Sequence, residues 1–78
     1  MDNYDPHEIK LANEIAETLK DRDALPLFLM YTRKYHEDFL RKQVAKVMSI
    51  PESQIRKSRG ALFTFLVNQH GRNGNPRH

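Results

Sequence analysis

The side chains in this 78-residue chain with the chemistry to attack, protonate or coordinate are four histidines, a few paired carboxylates and the serines Ser49, Ser53 and Ser58. His7, His36, His70 and His78 stand far apart. None forms H-x-x-x-H or H-E-x-x-H, the spacings that set two ligands on one helical face. They read as solvent-facing or capping histidines. The carboxylates group as Glu14/Glu17 and Asp21/Asp23. A di-metal bundle would need E-x-x-H on each of two helices, and the sequence has none. The serines lack an S-x-x-K or G-x-S-x-G setting that would make one of them a nucleophile. There is no cysteine, so neither a disulfide nor a thiolate metal site can form. The residues therefore predict a binding module for another macromolecule. No enzyme, cofactor, metal or small-molecule substrate is expected.

Charge gives the first indication of a partner. The net charge is only +3, but it is unevenly placed. Residues 1–32 hold seven acidic side chains against the three basic Lys10, Lys20 and Arg22. Residues 33–59 hold eight basic side chains against the three acidic Glu37, Asp38 and Glu52. A basic half of this kind is the electrostatic footprint that a polyanion needs. It can equally balance the acidic half through internal pairs. The N-terminal residues are polar and acidic and resemble no signal peptide. The longest apolar run, Ala61 to Val67, is too short to span a bilayer. The expected compartment is the cytoplasm, with no membrane partner.

The elements that position these residues read as helices. Asp5 as N-cap, Pro6 in the first turn and Glu8 three residues on make a capping-box start. Ile9, Ala12, Ile15, Ala16 and Leu19 follow at helical spacing, giving a first helix over about Pro6 to Lys20. Asp21-Arg22-Asp23 is a turn. Asp23 is placed to cap a second helix that starts at Ala24 and carries Leu25 to Tyr31. That helix is apolar nearly all round and so is expected at the centre. A third starts at Tyr35-His36-Glu37-Asp38, shows Phe39, Leu40, Val44, Val47 and Met48 on one face, and ends at Ser49-Ile50-Pro51. A fourth runs from about Pro51 or Ser53 to Asn68. Leu62 to Val67 also has strand-like composition, but no partner strand is evident.

The fold expected is therefore all-α: a small compact bundle of four helices with a flexible C-terminal tail. Residues 1–70 form the single domain and residues 71–78 the tail. The expected core is Ile9, Ile15, Leu19, Leu25, Phe28, Leu29, Leu40, Val44, Val47, Ile55, Leu62 and Leu66.

Residues 44–58 resemble the helix-turn-helix of bacterial DNA-binding proteins. Ala45 is the small residue that lets two helices cross. Val44 precedes it and Met48 follows. Ser49 makes the turn, Ile50 tucks beneath it, and Ile55 is the buried branched residue of the second helix. Ser58 stands where an apolar residue is usual. The resemblance identifies no particular family. It implies that the second helix enters the major groove by its N-terminal end, with Glu52, Ser53, Arg56 and Lys57 outward; Ser53 and Gln54 are also among the expected nucleic-acid contacts. Arg56 would then fork onto a guanine edge, while Lys57 and Arg59 meet phosphates. Arg41, Lys42 and Lys46 would add backbone contacts. Nucleic acid, DNA in particular, is the expected partner on this reading. The alternative is a protein-interaction or homodimer module that uses Phe63, Phe65 and Val67 on the last helix. These residues point in different directions, and one small core need not cover them all.

Overall fold

The computed structural model describes residues 4–73, with side chains through Gln69. They form an all-α bundle of four helices: α1 (Pro6–Leu19), α2 (Leu25–Lys34), α3 (Glu37–Met48) and α4 (Arg59–Asn73). No strand occurs among the described residues, and Leu62 to Val67 lie in α4. Of the expected tail, Gly71 to Asn73 continue α4, and residues 74–78 lie outside the described part.

The start of α1 is the expected capping box. Asp5 Oδ1 accepts from the Glu8 N–H at 3.0 Å, and Glu8 Oε1 accepts from the Asp5 N–H at 3.0 Å. Two helix-start donors are thereby satisfied. The helix stops at Lys20, which takes a left-handed conformation (φ 56°, ψ 46°). The Asp21 N–H then reaches back to the Ala16 carbonyl at 2.9 Å. A short 3₁₀ turn, Arg22–Ala24, leads into α2. Asp23 lies inside that turn and does not cap α2, which begins with no side-chain cap. Pro26 fits in the first turn of α2, where its missing N–H has no helical partner to lose.

The directions of the helices follow from their contacts. Glu8 near the start of α1 meets Arg33 near the end of α2, at 2.9 Å, so these two run antiparallel. His7 meets Glu37 and Glu14 meets Arg41, so α1 and α3 run parallel. Arg59 at the start of α4 reaches Val47 at the end of α3, which ties those two ends together.

The core is built from Leu11, Ala12, Ile15, Ala16 and Leu19 of α1, Phe28 and Tyr31 of α2, and Tyr35. Leu40 and Val47 of α3 and Phe63 and Val67 of α4 complete it. Leu25, Leu29, Val44, Leu62 and Leu66 are half-buried against it. Two expected core positions differ. Ile9 is 45% exposed, at the edge of the α1 stripe, and its place is taken by Leu11. Ile55 is half-buried in a loop. In addition, α2 is less enclosed than its composition implies, because Met30 is 44% exposed.

An aromatic cluster holds α4 in place. The Phe63 ring meets Phe28 edge-on at 5.4 Å between centroids, and meets Tyr31 at 6.2 Å. Tyr31 meets Tyr35 at 5.9 Å. Edge-to-face geometry of this kind adds about 0.5–1.5 kcal/mol per pair beyond area burial. Phe63 and Val67, offered as exposed interface residues on sequence grounds, are thus fully buried. They occupy the one stripe of α4 that faces the other three helices.

Two substitutions separate core from surface. Phe63→Ala should cost about 3–5 kcal/mol of unfolding free energy in denaturant titration, whereas Phe65→Ala, at a 59% exposed position, should change it by less than about 0.5 kcal/mol. Gly60→Ala probes a close approach: a Cβ there would collide with the Asp21 carboxylate and Cβ. It should destabilise by about 1–3 kcal/mol, the usual range for overpacking. Adding Asp21→Ala should recover part of that loss.

Candidate binding groove

The structure separates the basic residues by what they touch. Arg41 donates from Nε to Glu37 Oε2 at 2.6 Å and from Nη2 to Glu14 Oε1 at 2.9 Å. Arg59 donates from Nη1 to the Val47 carbonyl at 2.9 Å and to the Ile50 carbonyl at 3.3 Å. Both guanidiniums are engaged within the fold. Lys42, Lys46, Arg56 and Lys57 are exposed. They form no ion pair with an acidic side chain among the described residues. Ser53 and Gln54 are also exposed, in a 3₁₀ turn over Glu52–Gln54.

The second helix implied by the resemblance is not formed where it would be needed. After Pro51 the chain makes that single 3₁₀ turn. Ile55 is extended (φ −95°, ψ 119°), and α4 begins only at Arg59. Ser58, not Ser53, is the cap: its Oγ accepts from the Ala61 N–H at 3.1 Å. Its carbonyl accepts from the Leu62 N–H at 3.1 Å. Residues 53–57 therefore lie in a loop and present no helix end to a groove of DNA.

That loop and the first turns of α4 enclose an open groove of about 420 Å³. Ile55, Ala61, Leu62 and Phe65 supply its apolar lining, and Gln54, Arg56, Lys57 and Ser58 its polar edge. The structure thus joins Gln54, Arg56 and Lys57, expected to contact nucleic acid, with Phe65, expected to contact protein. Arg41, Lys42, Lys46, Ser53 and Arg59 do not line it. Sequence reasoning did not single out Ile55, Ala61 and Leu62 as groove-lining residues, although Leu62 does pack against the core as expected. Their apolar character reads as core, and only the loop geometry shows the groove. A smaller cavity of about 150 Å³ lies between α1 and α3, lined by Glu14, Ile15, Thr18, Arg41, Val44 and Ala45.

The acidic face of α1 is largely engaged. Arg33 donates from Nη2 to Glu8 at 2.9 Å, and Arg22 lies 3.6 Å from Glu17. His7 stands 2.8 Å from Glu37. The hydrogen bond from Arg33, followed by the Asp5 backbone donor, holds the Glu8 carboxyl below its ordinary range. Glu37 is lowered in the same direction, by Arg41 first and His7 second. Among the described residues no group of three or more His, Cys, Asp or Glu is placed to hold a metal ion. No helix among them is long and apolar enough to cross a membrane. Comparison with protein-family models, curated proteins and solved structures finds no match to the chain.

The lowered glutamates set an acid-side dependence. A carboxyl whose folded pKa is depressed stabilises the fold above its unfolded pKa and loses that contribution as pH falls through the folded value. Unfolding midpoints should therefore fall as pH drops through and below the ordinary glutamate range. In Arg41→Met the midpoint at neutral pH should be lower and the acid-side fall shallower. A variant whose acid profile overlays the parent would contradict the role given to Arg41.

Proposed function

We propose that this chain is a protein-interaction module whose contact surface is the groove between residues 54–58 and the start of α4. One observation carries the reading. An apolar lining is left uncovered at the surface, and Phe65, at 59% exposure, is its largest open side chain. Isolated exposed apolar residues are ordinary, but here Phe65 borders a concavity with Ile55 and Leu62. Concavities of a few hundred Å³ with apolar walls and a few polar groups are the usual form of binding sites. Aromatic side chains are over-represented among the residues that dominate binding energy at interfaces. The position of the groove also favours this reading. Its walls are a pinned loop and a helix end, so little ordering is needed on contact.

A second reading, nucleic-acid binding, rests on Lys42, Lys46, Arg56 and Lys57. These exposed cations keep their charge available for phosphates. It no longer has a recognition helix to support base readout, so it reduces to contacts with the phosphate backbone. Such binding would weaken steeply as salt rises and discriminate little between sequences.

One experiment weighs the two. Random peptides displayed on phage are selected on the folded chain, and the selected peptides and a random DNA duplex are each titrated at low salt with residue-level NMR. Selected peptides should shift Ile55 to Ser58, Ala61, Leu62 and Phe65, and leave Glu8 to Glu17 unmoved. Phe65→Ala should weaken them by about tenfold, equivalent to about 1.4 kcal/mol, with the melting temperature unchanged. Selected peptides that leave the groove resonances in place would overturn the proposal. Shifts at Lys42, Lys46, Arg56 and Lys57 with DNA alone would give the function to nucleic acid.

A further inference from the structure

We infer that the occupant of the groove is an acidic linear protein segment carrying a bulky apolar side chain. The inference rests on the protein-interaction reading above and adds the chemistry of the partner. The charge around the groove is one-sided. Arg56 and Lys57 are its charged lining residues, and no acidic side chain lines it. Asp21, whose carboxylate lies against Gly60, is near but does not line the groove. Glu8, Glu14 and Glu37 are held by Arg33 and Arg41, and Glu17 lies near Arg22. Glu52 stands in the adjoining 3₁₀ turn, does not line the groove and forms no ion pair among the described residues. Two cations at the edge of an apolar trough attract an anion and leave the trough itself for a hydrocarbon or aromatic group.

The start of α4 narrows the choice further. A helix N-terminus attracts anions through its unpaired N–H groups, but this one already has a side-chain cap and a carboxylate of the same chain beside it. Ser58 Oγ takes the Ala61 N–H, its carbonyl takes the Leu62 N–H in the first ordinary helical bond, and the Asp21 carboxylate lies against Gly60. A carboxylate of the partner therefore meets Arg56 and Lys57 rather than the helix end. The Arg56 guanidinium can hold it by two parallel hydrogen bonds, the geometry in which arginine exceeds lysine. The apolar side chain of the same segment lies on Leu62 and Phe65, with Ile55 closing the far side.

The test uses three synthetic peptide libraries with the same randomised centre, fixed to contain Leu or Phe, and flanks of Glu, Gln or Lys. Binding to the full chain is followed by NMR and fluorescence anisotropy at two salt concentrations. Glu-flanked peptides should bind in the groove about three- to tenfold more tightly than Gln-flanked ones, as two solvent-exposed ion pairs allow. Lys-flanked peptides should bind weakest, and the Glu preference should shrink as salt rises. The double variant Arg56→Glu, Lys57→Glu changes exposed loop positions, and circular dichroism checks its fold. In it the order should reverse, with Lys-flanked peptides tightest. Equal binding of Glu- and Gln-flanked peptides in the groove would overturn the acidic chemistry while leaving the groove as a protein site. Failure of all three libraries to shift the groove would overturn both readings. Concentration-dependent self-association that closes the groove would make a second copy the occupant and overturn the inference. So would displacement of the peptides by a single-stranded oligonucleotide, which would make the anion a phosphate.

Discussion

The hydrogen bonds from Arg59 to the Val47 and Ile50 carbonyls connect the end of α3 to the start of α4. The Val47 carbonyl also accepts from the Ile50 N–H at 3.1 Å, and the charged guanidinium makes stronger bonds than a neutral donor would. The rest of the region depends on this connection. It fixes the distance between Ile50 and Arg59 and so compels the intervening residues to loop outwards. Together with the packing of Phe63 on Phe28 and Tyr31, it holds α4 with Phe63 and Val67 inwards and Phe65 on the surface. The groove is a by-product of that arrangement together with the looped-out chain at Ile55.

The same logic governs the two charged halves. The acidic α1 and the basic part of α3 lie side by side because they run parallel in the bundle, which brings Glu14 to Arg41 and His7 to Glu37. Arg33 closes over Glu8 and lies 4.4 Å from the Tyr4 ring centroid, a cation–π contact. Such exposed pairs contribute little stability one by one. Their larger effect is on the outward field. The cations of α1's neighbours are screened by its carboxylates, and unscreened charge is left on the far side of α3 and at the loop before α4. A basic segment in the sequence thereby becomes a smaller basic edge in space.

Much of the fold was legible in the sequence, and the reasons are local. Asp5-Pro6-x-Glu8 defines a helix start through atoms a few residues apart, and Ser49-Ile50-Pro51 ends α3 by a steric clash within one dipeptide. The number of helices followed from apolar spacing, as did Ile15, Leu19, Phe28, Leu40 and Val47 of the core, whereas Leu11, Tyr31, Tyr35, Phe63 and Val67 were not placed there. The start of α4 did not. Ser53 and Ser58 are equally good caps by type, and the choice between them depends on partners distant in sequence. Arg59 needs the carbonyls of α3, and Gly60 needs to pass the Asp21 side chain. The site was legible only in part for the same reason. Arg56, Lys57 and Phe65 were singled out, but as members of two separate surfaces. Ile55 was assigned to the interior, and Leu62, which does pack against the core, also lines the groove, since apolar spacing cannot tell a covered wall from an open one. Arg41 and Arg59 were taken as available because a guanidinium in the sequence carries no sign of the acceptor it will meet. Gln43 is the one buried polar side chain among the described residues, and its Oε1 has no hydrogen-bond partner among them.

Burial of Tyr31 beneath α4 gives the bundle an alkaline edge as well as an acid one. Removal from water raises the ionisation of its phenol above the ordinary tyrosine value, although hydrogen bonds to Asn68 and Thr64 act in the opposite direction. A phenolate cannot stay among Phe63, Tyr35 and the α4 side chains without a compensating charge. As pH rises through the tyrosine range, the unfolded chain gives up this proton more readily than the folded one, and the balance shifts towards unfolding. The ring that packs beneath α4 thus also ties the stability of the whole bundle, and of the groove that α4 walls, to alkaline pH.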